Sequence, residues 1–341
     1  MQDVKNIIVT GIAGCGEREY FEKLVSYGRG HGLKTNIVSV TEAVVEAANK
    51  SNSNVNRYNL LSFPKTTREA WYQNAFNSIL HEKLVEDAVN IISIHVSYWW
   101  KNGPEQVIRA DILNSFLNAL DSIFYVQIID SVNSIENRLG GVAEHSGMKL
   151  TEEDIFRWQD IDYYHIVTLA QINRKNLYII ATEQPADTLY RLILNEGELK
   201  IYTSFPMTYL KNKNVRKQID DFITKLNETA IVFNPATIED HDYFTSGSLK
   251  ELSGEMTVKR DYRLIDQSDI VVAYFPKVIH SSGVMLEMDY ANSTAKPVYL
   301  VWPTKEYSPF TVYPVRKIFF SLEECLTEIK IVAESRKKSK V

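Results

Sequence analysis

Short apolar runs of strand length, separated by long helical patterns, recur from one end of this chain to the other. Runs at residues 6–10, 35–40, 89–96, 122–129 and 176–181 alternate with helical patterns that include 19–30, 67–87 and 151–173. A second series follows at 200–204, 230–234, 269–275 and 297–302, with helical patterns at 214–227 and 282–294. A near-continuous apolar run suits a strand covered on both faces, and strands that alternate with helices pair in parallel. The expected fold is therefore α/β, with two doubly wound parallel-sheet domains. The polar turn Asn195-Glu-Gly-Glu198 separates the series. It sets the expected domains at 1–197 and 198–335, with 336–341 as a basic tail, and a length of 341 residues suits two cores.

Composition removes several functional classes. The net charge of −5 argues against a general nucleic-acid binder, whose phosphate contacts need a basic surface. Only Arg336-Lys337-Lys338-Ser339-Lys340 is strongly basic, and it reads as a frayed, solvated terminus. Cys15 and Cys325 lie in unlike contexts, so neither a disulfide framework nor a zinc site is expected. Residues 1–25 lack a signal peptide's apolar core, because Gly14, Gly16, Glu17 and Arg18 interrupt it. Apolar runs such as 270–275 are too short to span a bilayer. A cytoplasmic protein without nucleic-acid or membrane partners is expected. The polar, Gly/Ser-rich stretch 238–259 reads as a loop or lid over a site.

The first strand leads into Gly11-Ile-Ala-Gly-Cys-Gly16 and then a helix, which is where a phosphate-binding loop lies. Such a loop needs Lys and Ser/Thr directly after its last glycine, to neutralise phosphate and hold magnesium. Glu17 and Arg18 stand there instead, and a carboxylate at the cation's place repels phosphate. With Ile91-Ile-Ser-Ile-His95 and Val126-Gln-Ile-Ile-Asp130, this half resembles the adenylate-kinase-like P-loop kinases, especially their archaeal branch. It departs from them at Ser93, where the resemblance implies an Asp serving magnesium, although His95 is retained. Around Arg138 it has Gly140, Gly141 and Glu144 in place of an arginine-rich lid. A degenerate, non-phosphorylating domain is expected. Two readings of the loop stay open: an anion site at a helix start, or a purely structural turn.

In the second series, Asp269 leads a buried strand, and a loop carries the chain to Ser282-Gly283 at a helix start. Glu287 follows in the first turns of that helix, where the backbone dipole favours a carboxylate. In open α/β sheets the carboxyl ends of the strands carry ligand sites, so a Glu at that rim is a candidate nucleophile or base. Asp266 and Asp289 read as capping and solvated, and His280 as an exposed loop residue.

This segment resembles the nucleoside 2-deoxyribosyltransferases and the related 2′-deoxynucleoside 5′-monophosphate N-glycosidases. The resemblance covers about 135 residues. Their nucleophile pattern Gly-x-x-x-Glu-x-x-x-Ala matches Gly283, Glu287 and Ala291. Asp269 matches a strand-leading Asp, and Asp261 an Asp that contacts the base and transfers protons. Tyr202, in Lys200-Ile-Tyr-Thr-Ser-Phe-Pro206, matches a Tyr beside the nucleophile. Six residues before Glu287 the transferases carry Asp and the glycosidases a phosphate-binding Ser; here it is Ser281.

The resemblance implies a flavodoxin/Rossmann-like domain that cleaves or transfers at an N-glycosidic bond, with a 5′-monophosphate favoured. Glu287, Asp261 and Tyr202 would be catalytic; Ser281, Ser282, Gly283 and Asp269 would bind substrate. No metal or organic cofactor is required, and a homo-oligomer is expected. Rival readings are a P-loop nucleotide kinase or nucleotide-binding switch, a non-enzymatic nucleotide sensor, and an NAD or ATP glycohydrolase of a defence type.

Overall fold

The computed structural model describes residues 5–51, 54–101, 103–141, 150–195, 197–238 and 252–338. Glu144, residues 239–251 of the expected lid and residues 339–341 of the expected tail lie outside these. The contacts divide the chain into two compact units, one built mainly from residues up to Ala186 and the other mainly from Asp187 onward.

The first unit holds β1 (Lys5–Thr10), β2 (Thr35–Ser39), β3 (Val89–Ser93), β6 (Tyr125–Ile129) and β7 (Leu177–Ala181) in the order β2-β3-β1-β6-β7. Every pairing among them is parallel. Ile7, Ile8, Ile91, Ile92, Val126 and Ile128 are buried, as residues sandwiched between two helical layers must be. Helices α1 (Glu17–Gly30), α2 (Val40–Lys50), α3 (Lys65–Ser78), α4 (Ala110–Leu120), α5 (Val132–Gly140) and α6 (Glu152–Ile172) belong to this unit. A capping box between Thr151 and Asp154 starts α6 by satisfying otherwise orphaned backbone donors. The helix expected at 67–87 is shorter: α3 ends at Ser78, and a π-helical turn, Ile79–Lys83, follows it. The strand expected at 89–96 stops at Ser93, and Ser97–Trp100 (β4) instead pairs antiparallel with Gly103–Gln106 (β5). That hairpin buries Trp99 against Trp158.

The second unit orders its strands β12-β11-β10-β8-β9, again all parallel. They are β8 (Lys200–Ser204), β9 (Ile231–Phe233), β10 (Ile270–Tyr274), β11 (Val298–Val301) and β12 (Lys317–Phe319). Renumbered from β8, this is the 2-1-3-4-5 order of doubly wound sheets. Its first crossover runs to one side of β8 and the next returns to β10, which opens a crevice between those two strands at their carboxyl ends. Helices α7 (Asp187–Leu194) and α8 (Lys213–Asn227) are followed by α9 (Leu252–Asp266), α10 (Ser282–Ser293) and α11 (Leu322–Lys338).

Two expectations change in this unit. Residues 252–259 of the expected lid are the first half of α9, a helix whose second half buries Leu264 and Ile265. The basic tail is not frayed from Arg336: α11 runs to Lys338, and Arg336 donates to Asp269 at 2.9 Å. Among the described residues no helix is long and apolar enough to cross a membrane.

Candidate active site

Helix α10 meets the sheet through Val284, Met288 and Ala291, which recur at helical spacing and are all buried. Fixing that face leaves Glu287 on the flank, half-buried, in the second turn of the helix. There its Oε2 accepts a short hydrogen bond from Ser204 Oγ. Ser204 is the last residue of β8 and is completely buried, paired in register with Ala273 of β10. The carboxylate of Glu287 is thus held at the carboxyl edge of the sheet, at the crevice between β8 and β10.

Sequence reading singled out Tyr202 and passed over Ser204. The two lie on the same face of β8, since side chains alternate along a strand. Tyr202 is fully buried within the strand, whereas Ser204 sits at its end and reaches Glu287. The period of two was a usable signal, but nothing in the sequence said which helix would arrive there.

Asp261 lies on α9 and is buried. Burial pushes its carboxyl above the usual carboxylate range, while the Arg260 guanidinium, at 3.0 and 3.1 Å, opposes the shift. The next residue brings α9 against α10. Tyr262 stacks on Tyr290 of α10 with ring centroids 3.8 Å apart. Its phenol is pushed up first by burial and then by the negative charge of Glu287.

Ser281 is the N-cap of α10, yet its side chain makes no capping hydrogen bond. Ser282 and Gly283 are exposed, and a Cβ added at Gly283 would meet nothing within 4 Å. The start of this helix therefore presents open backbone and an uncommitted hydroxyl.

Asp269 is a correction. It precedes β10 at the amino edge of the sheet, opposite Ser204 and Glu287. Its carboxylate accepts from the Lys200 amide at 2.9 Å and from Arg336 at 2.9 Å, and pairs with the Lys200 ammonium at 3.5 Å. It ties β8, β10 and α11 together and has no place in a substrate site at the carboxyl edge. Asp289 and His280 are exposed, as read from the sequence.

In the first unit the glycine loop is filled by the protein's own side chains. Gly14 and Gly16 both have left-handed backbone, with φ of 81° and 83°. A Cβ on Gly16 would lie 2.9 Å from the Arg138 guanidinium, so glycine is required there twice over. Arg138 donates to Gly14 O at 3.0 Å and to Asp130 at 2.7 Å. His95 Nδ1 donates to Gly11 O at 2.6 Å, and Thr182 to Cys15 O at 2.7 Å. Glu17 turns inward: its Oε1 accepts from Ser93 Oγ at 2.8 Å and lies 3.9 Å from His95 Nε2. Arg18 points to solvent and pairs with Glu22.

Cys15, under this loop, is raised well above the ordinary thiol value by burial and then by the carboxylates of Glu17, Asp162 and Asp130. Asp162 is fully buried and was not singled out in the sequence. Thr10, Ser97 and Gln127 all donate to it, and burial still pushes it up to about 6. A loop ringed by carboxylates is hostile to phosphate. Among the described residues no group of three or more His, Cys, Asp or Glu is arranged to hold a metal ion.

No protein-family model matches this chain, and no curated protein matches it in sequence. Solved structures share parts of its fold. A 2-deoxyribosyltransferase from Bacillus psychrosaccharolyticus is 20% identical over 37% of this chain and 90% of its own, with a TM-score of 0.30. The CMP N-glycosidase BcmB of Clostridium botulinum is 21% identical over 39% of this chain and 98% of its own, with a TM-score of 0.27. A shikimate kinase from Acinetobacter baumannii is 14% identical over 57% of this chain and 96% of its own, with a TM-score of 0.34. Likenesses this distant assign no activity to the chain; what they share with it is α/β architecture.

Proposed function

We propose that the second unit cleaves or transfers at the N-glycosidic bond of a nucleoside or nucleotide, with Glu287 as nucleophile. The observation that carries this reading is the placement of Glu287. Its half-buried carboxylate is hydrogen-bonded to the end of β8, at the crevice where doubly wound sheets bind ligands. Glu287 attacks C1′ through an oxocarbenium-like transition state and forms a glycosyl ester; water or a second base then resolves it. The leaving base needs a proton, and Asp261, whose carboxyl burial pushes up, suits an acid partner to an ionised Glu287. Tyr202, buried within β8, orients the Glu287 carboxylate.

The open start of α10 favours a 5′-phosphorylated substrate. Backbone N–H groups at a helix start attract a dianion, and the Ser281 hydroxyl is uncommitted to donate to it. The first unit serves as a non-phosphorylating domain, because Glu17 occupies the place of the phosphate-binding lysine and is bonded to Ser93.

The test is chromatography of matched nucleosides and 5′-monophosphates incubated with the protein. Free base should appear, faster from the monophosphates. Absence of free base from every member of the panel would remove the reading.

A further inference from the structure

We infer that Ser204 is a positioning residue for Glu287 and sets how fast the covalent sugar intermediate breaks down; this rests on the nucleophile reading above. Ser204 is completely buried, and its backbone is fixed by parallel pairing with Ala273. Its hydroxyl donates to Oε2 of Glu287, whose helix is held in turn by Val284, Met288 and Ala291. Ser204 therefore engages Oε2, and Oε1 is assigned here to the attack on C1′.

The two steps load this hydrogen bond differently. In the first, Oε1 bonds to C1′ as the C1′–N bond breaks. The electron pair leaves with the base, which takes a proton from the acid. The carboxylate's charge is lost, and Ser204 is left facing an ester oxygen, a weaker acceptor. In the second, the oxygen of water bonds to C1′ as the C1′–Oε1 bond breaks, and that pair returns to the carboxylate. The proton of water leaves to a base or to solvent. A hydrogen bond to an ionised acceptor is roughly twice as strong as one to a neutral acceptor, so the Ser204 bond strengthens as the ester breaks. Interactions that strengthen toward a transition state are those that accelerate it. Ser204 therefore favours breakdown over formation of the ester.

The experiment is steady-state kinetics and quenched-turnover intact-mass measurement on wild type, Ser204→Ala, Ser204→Cys and Glu287→Gln. Cysteine keeps the size of the side chain without a strong donor, and guards against a packing defect in the alanine variant. Both Ser204 variants should lose about tenfold to hundredfold in kcat, the effect of one charge-assisted hydrogen bond. Their kcat/KM should fall less, and protein carrying one sugar adduct should accumulate. Wild-type kcat and no adduct in a Ser204 variant that melts like wild type would overturn the inference. An inactive Glu287→Gln would in that case leave the nucleophile reading standing. Base release by Glu287→Gln at the wild-type rate would overturn both.

Discussion

Two of the side chains that carry the proposed chemistry, Ser281 and Glu287, can each be tested alone. Ser281 caps α10 without spending its hydroxyl on the helix. Ser281→Ala should raise KM for a 5′-monophosphate about tenfold to hundredfold, the loss of one charge-assisted hydrogen bond, and leave the nucleoside's slower rate unchanged. Matched base-release assays check this, and equal losses on both substrates would make Ser281 a loop-supporting residue. Glu287→Gln keeps size and hydrogen-bonding capacity but removes the nucleophile. Base release should fall about a thousandfold or more, roughly 4 kcal/mol of barrier.

Asp162 tests the first unit by stability instead of activity. Burial holds its carboxyl at about 6, against an ordinary 3.8. The folded protein binds this proton more tightly than the unfolded chain does. Its contribution therefore favours folding at low pH, falls as pH rises from about 4 to about 6, and is constant above. At about 1.4 kcal/mol per unit, the full effect is about 3 kcal/mol. Asp162→Asn removes the buried charge, and the hydroxyls of Thr10 and Ser97 can rotate to accept from the amide. In urea melts at several pH values the variant should match or exceed wild type near pH 8 and lose the slope between about pH 4 and 6. A variant several kcal/mol weaker near pH 8 would contradict this account of Asp162.

At the scale of elements, the loop between β1 and α1 is a glycine turn with carboxylates around it. Left-handed Gly14 and Gly16 hold the turn, while Glu17, Asp130 and Asp162 surround it with carboxylates. Wild-type protein should give no magnesium-dependent phosphoryl transfer from ATP to any nucleoside monophosphate. A robust ADP signal from ATP plus AMP, in protein free of contaminating kinase, would contradict that. Elements were also where the sequence was most and least informative. Runs such as 270–275 announced buried parallel strands because their burial on both faces leaves no polar alternation. The start of α9 was hidden, since Ser253 and Gly254 read as loop residues and the buried pair Leu264 and Ile265 lies in the second half of the helix. The role of Asp269 was hidden for a different reason: its partner Arg336 is 67 residues away. Spacing within a motif carries no information about such a partner. Glu287, by contrast, was legible because its position depends on a local pattern, a glycine near a helix start and the turn that follows.

For the whole molecule, the two units share an architecture and differ in what stands at the corresponding edge of the sheet. In the first, Glu17, which follows the loop after β1, accepts a hydrogen bond from Ser93 at the end of β3. In the second, Ser204 and Glu287 meet between β8 and β10, beside the open start of α10. The loop of the first unit is lined by the protein's own side chains, whereas Ser282 and Gly283 at the start of α10 are exposed, which is why the proposed chemistry is assigned to the second. That assignment rests on a covalent bond between Glu287 and the sugar, and the most direct measurement looks for it. Protein quenched during turnover of a 5′-monophosphate, digested and mapped by mass spectrometry, should carry one sugar phosphate as an ester on the peptide containing Glu287, and Glu287→Gln should carry none. Base release with no such ester, together with full activity in Glu287→Gln, would contradict the account.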